Sequence, residues 1–225
     1  MFVQLFLMMV RYTKASLEST LVEQGAYSMS IYVIRHAEKQ KGDFHHQGLK
    51  FNDQPITQSG IASARRLVAF FSSLDIESIF ISEYLRTQQT IAYVAEAKAL
   101  APIVDNRLNE IDIGCIEEMT DGQIQEQYPA FWDSYHTRDH EFRMPGGETG
   151  EEAEKRIRSL FDSLDRTKNY ILATHEGLTR ILLCSVLGLP AYRRHLFTID
   201  YASITVFDFL PEFNCWTVPK VNMVV

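Results

Sequence analysis

Ile31-Tyr32-Val33-Ile34-Arg35-His36-Ala37-Glu38 is the stretch of sequence that decides the fold. Its first four residues form an apolar run that is too short for a helix and too continuous for a strand with one face in water, so it is typical of a buried parallel strand. Residues 78–81 (SIFI) and 170–173 (YILA) have the same character. Two later apolar runs, residues 203–209 and 215–221, predict an antiparallel hairpin at the edge of the same sheet.

Segments with helical periodicity lie between the predicted parallel strands. Apolar residues recur at helical spacing over residues 61–74 and again over residues 153–164. Thr149 and Glu152 form a capping box that starts the second of these helices. The alternation of strands and helices predicts an α/β fold, a three-layer α/β/α sandwich whose sheet is mostly parallel with an antiparallel edge.

Composition limits the partners and the compartment. The chain has 225 residues, 46% of them hydrophobic, which is enough to bury one sizeable core. Lys and Arg total 22 against 29 Asp and Glu, a net charge of −7, and this charge repels a nucleic-acid backbone, so no nucleic-acid partner is predicted. The three cysteines form no CxxC pair and leave one thiol odd in any disulfide scheme, which suits a reducing compartment. We expect a cytoplasmic protein.

Residues 1–28 differ from the rest of the chain, and we predict that they form an N-terminal extension to a single domain over residues 29–225. Residues 1–10 (MFVQLFLMMV) are almost entirely apolar but fall short of the roughly 20 residues that span a bilayer, so no membrane span is predicted. They also lack the basic start and the nearby cleavage site of a signal peptide. The sequence leaves open an added helix packed on the domain or on a partner, a contact with a membrane surface, or no role. The apolar start is compatible with a homodimer.

Chemically active residues follow each predicted parallel strand. Arg35 and His36 follow the first strand, Arg86 lies shortly after the second, and His175 follows the third. Ligands of open α/β sheets bind outside the carboxyl ends of the strands, so we expect these four side chains to meet at one edge. Guanidinium groups match phosphate oxygens and stay charged at any working pH, and an uncharged imidazole can attack phosphorus. The convergence predicts phosphoryl binding and transfer.

Four motifs carry a family resemblance. In chain order they are Arg35-His36-Ala37-Glu38, Ser82-x-x-x-Arg86-x-x-Gln89-Thr90, Leu108-Asn109-Glu110 followed by Gly114, and Thr174-His175-Glu176-Gly177. In this order, over residues 31–209, they resemble the histidine phosphatase superfamily, the fold shared by cofactor-dependent phosphoglycerate mutases and many phosphatases. The resemblance implies a phosphoglycerate mutase-like fold and makes residues 29–225 a histidine phosphatase-like catalytic domain.

The resemblance also implies a role for each candidate site residue. His36 is expected to be the nucleophile that receives the phosphoryl group, while Arg35 and Arg86 bind the phosphoryl oxygens. His175 is expected to donate a hydrogen bond to the phosphoryl group and stabilise the transition state. Glu110 is expected to protonate the leaving oxygen and then to activate water as a base.

No metal or other cofactor is predicted. The adjacent pair His45 and His46 is accompanied by no carboxylate at metal-ligand spacing, and Thr179 takes the place of the second histidine of a zinc HExxH helix. The sequence contains neither a GxSxG elbow nor a GxxxxGK[ST] loop, so serine-hydrolase and P-loop chemistry have no support. The loop over residues 39–52, which contains both histidines, either covers the phosphate or is simply solvated.

The choice between hydrolase and mutase depends on two departures from the mutase pattern. Mutases of the family carry Ser-x-Trp-Asn after the first motif and a basic, proline-rich lid, whereas this chain has Lys39-Gln40-Lys41 and a different insert over residues 119–144. Access of water therefore favours a phosphatase that acts on a small phosphorylated metabolite. Mutase-type phosphoryl transfer and non-catalytic binding of a phosphorylated ligand are the alternatives.

The insert is also where we expect substrate selectivity, because loops over the strand ends shape such pockets. Arg138, His140 or Arg143 is predicted to contact the leaving group or a second anionic group on it, since these cationic candidates cluster in an otherwise acidic protein. Three aromatic residues of the insert either stack on a ring of the substrate or belong to the core, and they are Tyr128, Phe131 and Trp132.

Overall fold

The computed structural model describes residues 29–42, 53–117 and 119–225, and these residues build a six-stranded sheet with helices on both faces. The strands in chain order are β1 (Ser30–Arg35), β2 (Ser78–Ile81), β3 (Ile103–Val104), β4 (Tyr170–Thr174), β5 (Ile204–Leu210) and β6 (Cys215–Met223).

The sheet has the order β3-β2-β4-β1-β5-β6. Strands β1, β4, β2 and β3 pair in parallel with their neighbours, whereas β5 runs antiparallel to β1, and β6 antiparallel to β5. The three predicted parallel strands and the antiparallel edge are therefore confirmed. Strand β3 is only two residues long and exposed, and the sequence analysis did not identify it.

The α-helices of the described residues are α1 (Gln58–Phe71), α2 (Leu85–Lys98), α3 (Asp121–Gln127), α4 (Pro129–Thr137), α5 (Gly150–Ser163) and α6 (Glu176–Val186). Helix α5 begins with the predicted capping box, in which the Thr149 side chain accepts a hydrogen bond from the Glu152 amide. Thr57 caps α1 in the same way, by accepting from the amide of Gly60. Short 3₁₀ turns cover Asn106–Leu108, Gly114–Ile116 and Ala191–Leu196.

Alternate residues of β1 enter two separate cores. Ile31 and Val33 pack on one face of the sheet with the buried residues of α5 and α6. Tyr32 and Ile34 pack on the other face with those of α1 and α2. Because both faces of the central strands are covered, the fold is the predicted three-layer α/β/α sandwich.

Two groups of sequence predictions lie outside the described residues. The extension over residues 1–28 is one, and residues 43–52 of the loop, which include His45 and His46, are the other. Within the part of the chain that the structure describes, no helix has the length and apolar character needed to cross a bilayer.

Candidate active site

The register of the parallel strands brings His36 beside His175. Arg35 is the partner of Thr174 in the pairing of β1 with β4, and each histidine is the next residue in its chain segment. The His36 amide donates a hydrogen bond to the Thr174 carbonyl at 2.9 Å. The centroids of the two imidazole rings are 5.2 Å apart. Two of the predicted catalytic residues thus lie at one edge of the sheet, as the strand pattern required.

The environment of His36 keeps its imidazole uncharged. Its Nδ1 lies 2.8 Å from the Ala37 carbonyl oxygen, which only accepts, so Nδ1 carries the proton and the neutral ring keeps a lone pair on Nε2. Burial lowers the pKa of His36 well below 6.5, and the nearby cations of Arg86 and Arg35 lower it further, although the Ala37 hydrogen bond acts in the opposite direction. The ring is therefore a neutral nucleophile at physiological pH.

His175 is completely buried beside the first imidazole. Its Nε2 lies 2.9 Å from Ser82 Oγ. Ser82 Oγ also lies 2.9 Å from Thr87 Oγ1. In the tautomer of His175 that carries its ring proton on Nδ1, Nε2 accepts a hydrogen bond from the Ser82 hydroxyl. Nδ1 has no hydrogen-bond partner among the described residues. Burial and the Arg86 cation lower the pKa of His175, so the ring is a neutral donor.

Arg35 is held on three sides. One guanidinium nitrogen donates to the Ile199 carbonyl, and Nη2 lies 3.1 Å from Glu176 Oε2. The guanidinium carbon lies 4.0 Å from the centre of the Tyr201 ring, which is a cation–π distance. The same ring lies 5.6 Å from the His36 ring, centroid to centroid. Tyr201 therefore positions both the guanidinium group and the imidazole.

Arg86 is buried at the start of α2. Its Nη1 lies 3.9 Å from Asp53 Oδ1, and its guanidinium carbon lies 4.1 Å from the centre of the Tyr84 ring. Asp53 also accepts a hydrogen bond from the Leu85 amide at 2.9 Å, so this carboxylate binds the first turn of α2 and balances the charge of the buried guanidinium group.

The first turn of α6 holds the carboxylate of Glu110. Oε1 accepts hydrogen bonds from the amides of Ile111 at 2.9 Å and Leu178 at 3.0 Å, and Oε2 accepts from the amide of Gly177 at 3.1 Å. Because α6 begins directly after His175, the helix that positions the carboxylate also fixes the second imidazole. The carboxylate faces the pocket that contains His36.

These side chains surround a pocket of about 280 Å³. Its lining residues are Arg35, His36, Lys39, Tyr84, Arg86, Glu110, Ile111, Ile113, Glu117 and Glu176. Lys39 adds a third cation, and its Nζ donates to Gln54 Oε1 at 3.1 Å. Burial and the cation of Arg86 lower the pKa of Lys39. Three cations in a pocket of this size form a cradle for a phosphoryl group.

Three residues near His36 were not predicted from the sequence, and they are Lys39, Tyr84 and Tyr201. Lys39 lies three residues after His36, and this short spacing in the sequence indicates that it can reach the same pocket. Tyr84 lies inside the second motif, between its serine and its arginine. Tyr201 reaches the site only because β5 returns antiparallel beside β1, and nothing local in the sequence indicates that.

The three cationic candidates of the insert lie elsewhere. Arg143 forms an exposed ion pair with Glu152 at 2.5 Å, and His140 lies 2.5 Å from the neighbouring carboxylate of Asp139. Arg138 donates to a backbone carbonyl within α4. None of the three is among the described residues that line the catalytic pocket or the cavity beside it. That one of these three residues contacts the substrate stays a prediction.

The aromatic residues of the insert lie closer to the site. Phe131 and Trp132 line a cavity beside the catalytic pocket, and Phe131 also packs on the core below α5 and α6. Tyr128 does not line this cavity, and its hydroxyl lies 3.2 Å from Cys115 Sγ.

The described residues contain no group of three or more His, Cys, Asp or Glu side chains placed to hold a metal ion. The prediction about His45 and His46 stays untested, because both residues lie outside these ranges.

The position of Glu110 is tested by Gly177→Ala. A Cβ at this position would lie 2.6 Å from Glu110 Oε1, so the carboxylate must move. We expect kcat with an alkyl phosphate to fall by about 10²-fold or more, the size of a lost general acid, and kcat with an activated aryl phosphate to fall far less. Gly122→Ala is the matched control, since its added Cβ meets nothing within 4 Å. Equal losses with the two substrates would contradict the assignment.

The charge state of His36 is tested by the pH dependence of kcat/KM. Protonation removes the Nε2 lone pair, so activity is retained above the pKa of His36, which burial and neighbouring cations hold well below 6.5, and is lost below it. Lys39→Gln removes one of those cations, so the acid limb should move to higher pH. The control variant is Lys41→Gln, because Lys41 is exposed. All variants are assayed with the same substrate, so the titration of its phosphate group affects every profile equally. An acid limb that stays fixed or moves to lower pH contradicts the account.

Comparison with known proteins agrees with this geometry. A family model described as the histidine phosphatase superfamily (branch 1) matches residues 31–222. Two relatives called probable phosphoglycerate mutase GpmB, from Enterobacter sp. (strain 638) and Proteus mirabilis (strain HI4320), are each 29% identical over 185 residues, which are 80% of this chain and 85% of the relative.

Solved structures share the fold. A putative alpha-ribazole-5'-P phosphatase from Escherichia coli superposes with a TM-score of 0.73 at 20% identity, over 88% of this chain and 97% of that chain. A mycobacterial glucosyl-3-phosphoglycerate phosphatase superposes with a TM-score of 0.71 at 21% identity, over 87% of this chain and 99% of that chain. Because the family model spans well over half of the sequence, the chain belongs to the histidine phosphatase superfamily, branch 1.

Proposed function

We propose that the protein is a metal-independent phosphomonoester hydrolase that acts on a small phosphorylated metabolite through a phosphohistidine at His36. The observation that carries the proposal is the neutral, buried imidazole of His36 in one pocket with the guanidinium groups of Arg35 and Arg86. The pocket has a nucleophile, charges that match a phosphoryl group, and Glu110 as a proton carrier.

In the first step, the Nε2 lone pair of His36 forms a bond to phosphorus and the ester P–O bond breaks. The bonding pair goes to the leaving oxygen, which takes a proton from the Glu110 carboxyl group. In the second step, a water molecule gives a proton to Glu110 and attacks phosphorus. The N–P bond then breaks, its electron pair returns to Nε2, and inorganic phosphate is released.

Each neighbour has a separate task during transfer. Arg35 and Arg86 neutralise the phosphoryl oxygens, whose charge shifts as the P–O bond breaks. The Nδ1–H of His175, which has no partner in the described part of the chain, donates to one of these oxygens. Glu110 is anchored by three backbone amides, so its proton is delivered from a fixed point of the pocket wall.

Mutase-type transfer is the second candidate, and the names of the sequence relatives favour it. A mutase keeps the phosphoryl group within the site and returns it to another oxygen of the substrate, whereas a hydrolase passes it to water. The two reactions share the first step. An assay with 3-phosphoglycerate separates them, because a hydrolase releases inorganic phosphate and a mutase forms 2-phosphoglycerate.

The proposed reaction is tested with an aryl phosphate, in the presence of a chelator, by measuring the release of inorganic phosphate. We expect turnover to resist the chelator and to fall to background in His36→Ala, because no other group supplies the nucleophile. His136→Ala, an exposed histidine of α4, should keep full turnover. Turnover that persists in His36→Ala contradicts a phosphohistidine, and turnover that the chelator abolishes contradicts metal independence. A wild-type protein that binds phosphate without any turnover indicates the non-catalytic alternative.

A further inference from the structure

A second cavity, of about 300 Å³, adjoins the catalytic pocket. The two spaces share Ile111 and Ile113 in their walls, and Gly177, whose amide binds Glu110, lines the second one. The full lining of this distal cavity is Ile111, Ile113, Ile116, Asp121, Ile124, Phe131, Trp132, Tyr135, Met144, Gly177, Arg180, Arg194 and His195. A substrate with its phosphoryl group at His36 can therefore extend its leaving group into the distal cavity.

Most of the wall of the distal cavity is apolar and partly aromatic. Phe131, Trp132 and Tyr135 come from α4, and four isoleucines from residues 111–124 complete the apolar lining. Aromatic walls favour a flat ring, because ring pairs stack or meet edge to face at centroid distances of about 4.5–7 Å. The wall thus selects a flat apolar group over a small polyol.

One end of the distal cavity carries hydrogen-bonding atoms that the described residues leave without partners. They are Arg180 Nε, Arg194 Nη2 and His195 Nε2, all three buried. Arg194 is only 3% exposed, and its Nη1 makes a long hydrogen bond of 3.3 Å to the Ala191 carbonyl. A buried polar atom without a partner is costly, so three at one cavity indicate a polar group on the ligand.

The unpartnered atoms of the two arginines are hydrogen-bond donors, so they favour an acceptor on the ligand. Arg180 and Arg194 are cations, the Glu141 carboxylate lies near Arg194, and the Asp121 carboxylate of the lining lies at the exposed start of α3. Glu176 contacts Arg180 through another nitrogen, Nη2, and leaves Nε available. Burial and the cation of Arg194 lower the pKa of His195 to about 4, so the imidazole is neutral at pH 7 and adds no charge. A carboxylate fits this end, because its planar oxygens match guanidinium donors.

We propose that the distal cavity binds the leaving group of the substrate, and that the substrate is the phosphate monoester of an aromatic alcohol that carries a carboxylate. The inference rests on the proposed function, since the phosphoryl group must occupy the pocket of His36. The aromatic residues of α4 contact the ring, and Arg194 and Arg180 bind the carboxylate. In this proposal, the aromatic residues of the insert determine substrate selectivity together with Arg180 and Arg194, which lie outside the insert.

The test uses phosphate esters of hydroxyphenyl alkanoic acids with zero to three methylene groups, each compared with its neutral amide. For at least one chain length, we expect kcat/KM of the acid to exceed that of the amide by about tenfold or more, the typical effect of a hydrogen bond to a charged group. Arg194→Gln should bring the ratio of acid to amide close to one. The matched control is Arg193→Gln, an exposed neighbour that should keep the ratio.

Two further measurements distinguish a variant that does not fold, a failure of the proposed function and a failure of the carboxylate proposal. Thermal melts show whether Arg194→Gln folds. If it does not fold, Arg180→Gln repeats the test, because the Arg180 side chain is only half-buried. Calorimetry with the free hydroxyphenyl alkanoate measures binding in the distal cavity without any phosphoryl chemistry. If phenyl phosphate is not hydrolysed, the proposed function fails, and calorimetry alone decides the cavity. If phenyl phosphate is hydrolysed but acids and amides react and bind equally, only the carboxylate proposal is overturned.

Discussion

The site depends on one constraint, the burial of an uncharged imidazole between guanidinium groups at the carboxyl edge of a parallel sheet. Burial alone favours the neutral form of His36, and the cations of Arg86 and Arg35 add to this preference. The same cations that hold the imidazole neutral match the charge of the phosphoryl group that His36 is proposed to attack. On an isolated strand, water would solvate the imidazole and screen the neighbouring cations, so the pKa of His36 would be lowered much less. The proposed chemistry therefore requires a core that is covered on both faces of the sheet.

The catalytic pocket and the distal cavity share wall residues, and an ion-pair network also links them. The Glu176 carboxylate lies 3.1 Å from Arg35 Nη2 through one oxygen and contacts Arg180 through the other. Helix α6 therefore positions Arg35 of the catalytic pocket, an arginine of the distal cavity and, through its first amides, the carboxylate of Glu110. One short helix after β4 thus fixes side chains of both cavities.

Local signals in the sequence predicted most of the fold and the centre of the site. Buried apolar runs identified β1, β2 and β4, and the residues directly after them include His36 and His175. The two-residue β3 was missed, since an exposed strand of that length has no periodicity. For the insert, the sequence does not show which cations are paired with a neighbouring carboxylate. Arg143 is paired with Glu152, and only the fold brings Arg194 to a cavity.

The central claim is a covalent bond between phosphorus and His36, and trapping that bond tests it most directly. Wild-type protein is mixed with a labelled phosphate ester, quenched within milliseconds at alkaline pH and digested, and the labelled peptide is identified. The account predicts label on His36, stable in alkali and lost in acid, as expected for a phosphorus–nitrogen bond. Label on another residue, or an adduct stable in acid and lost in alkali, would contradict it.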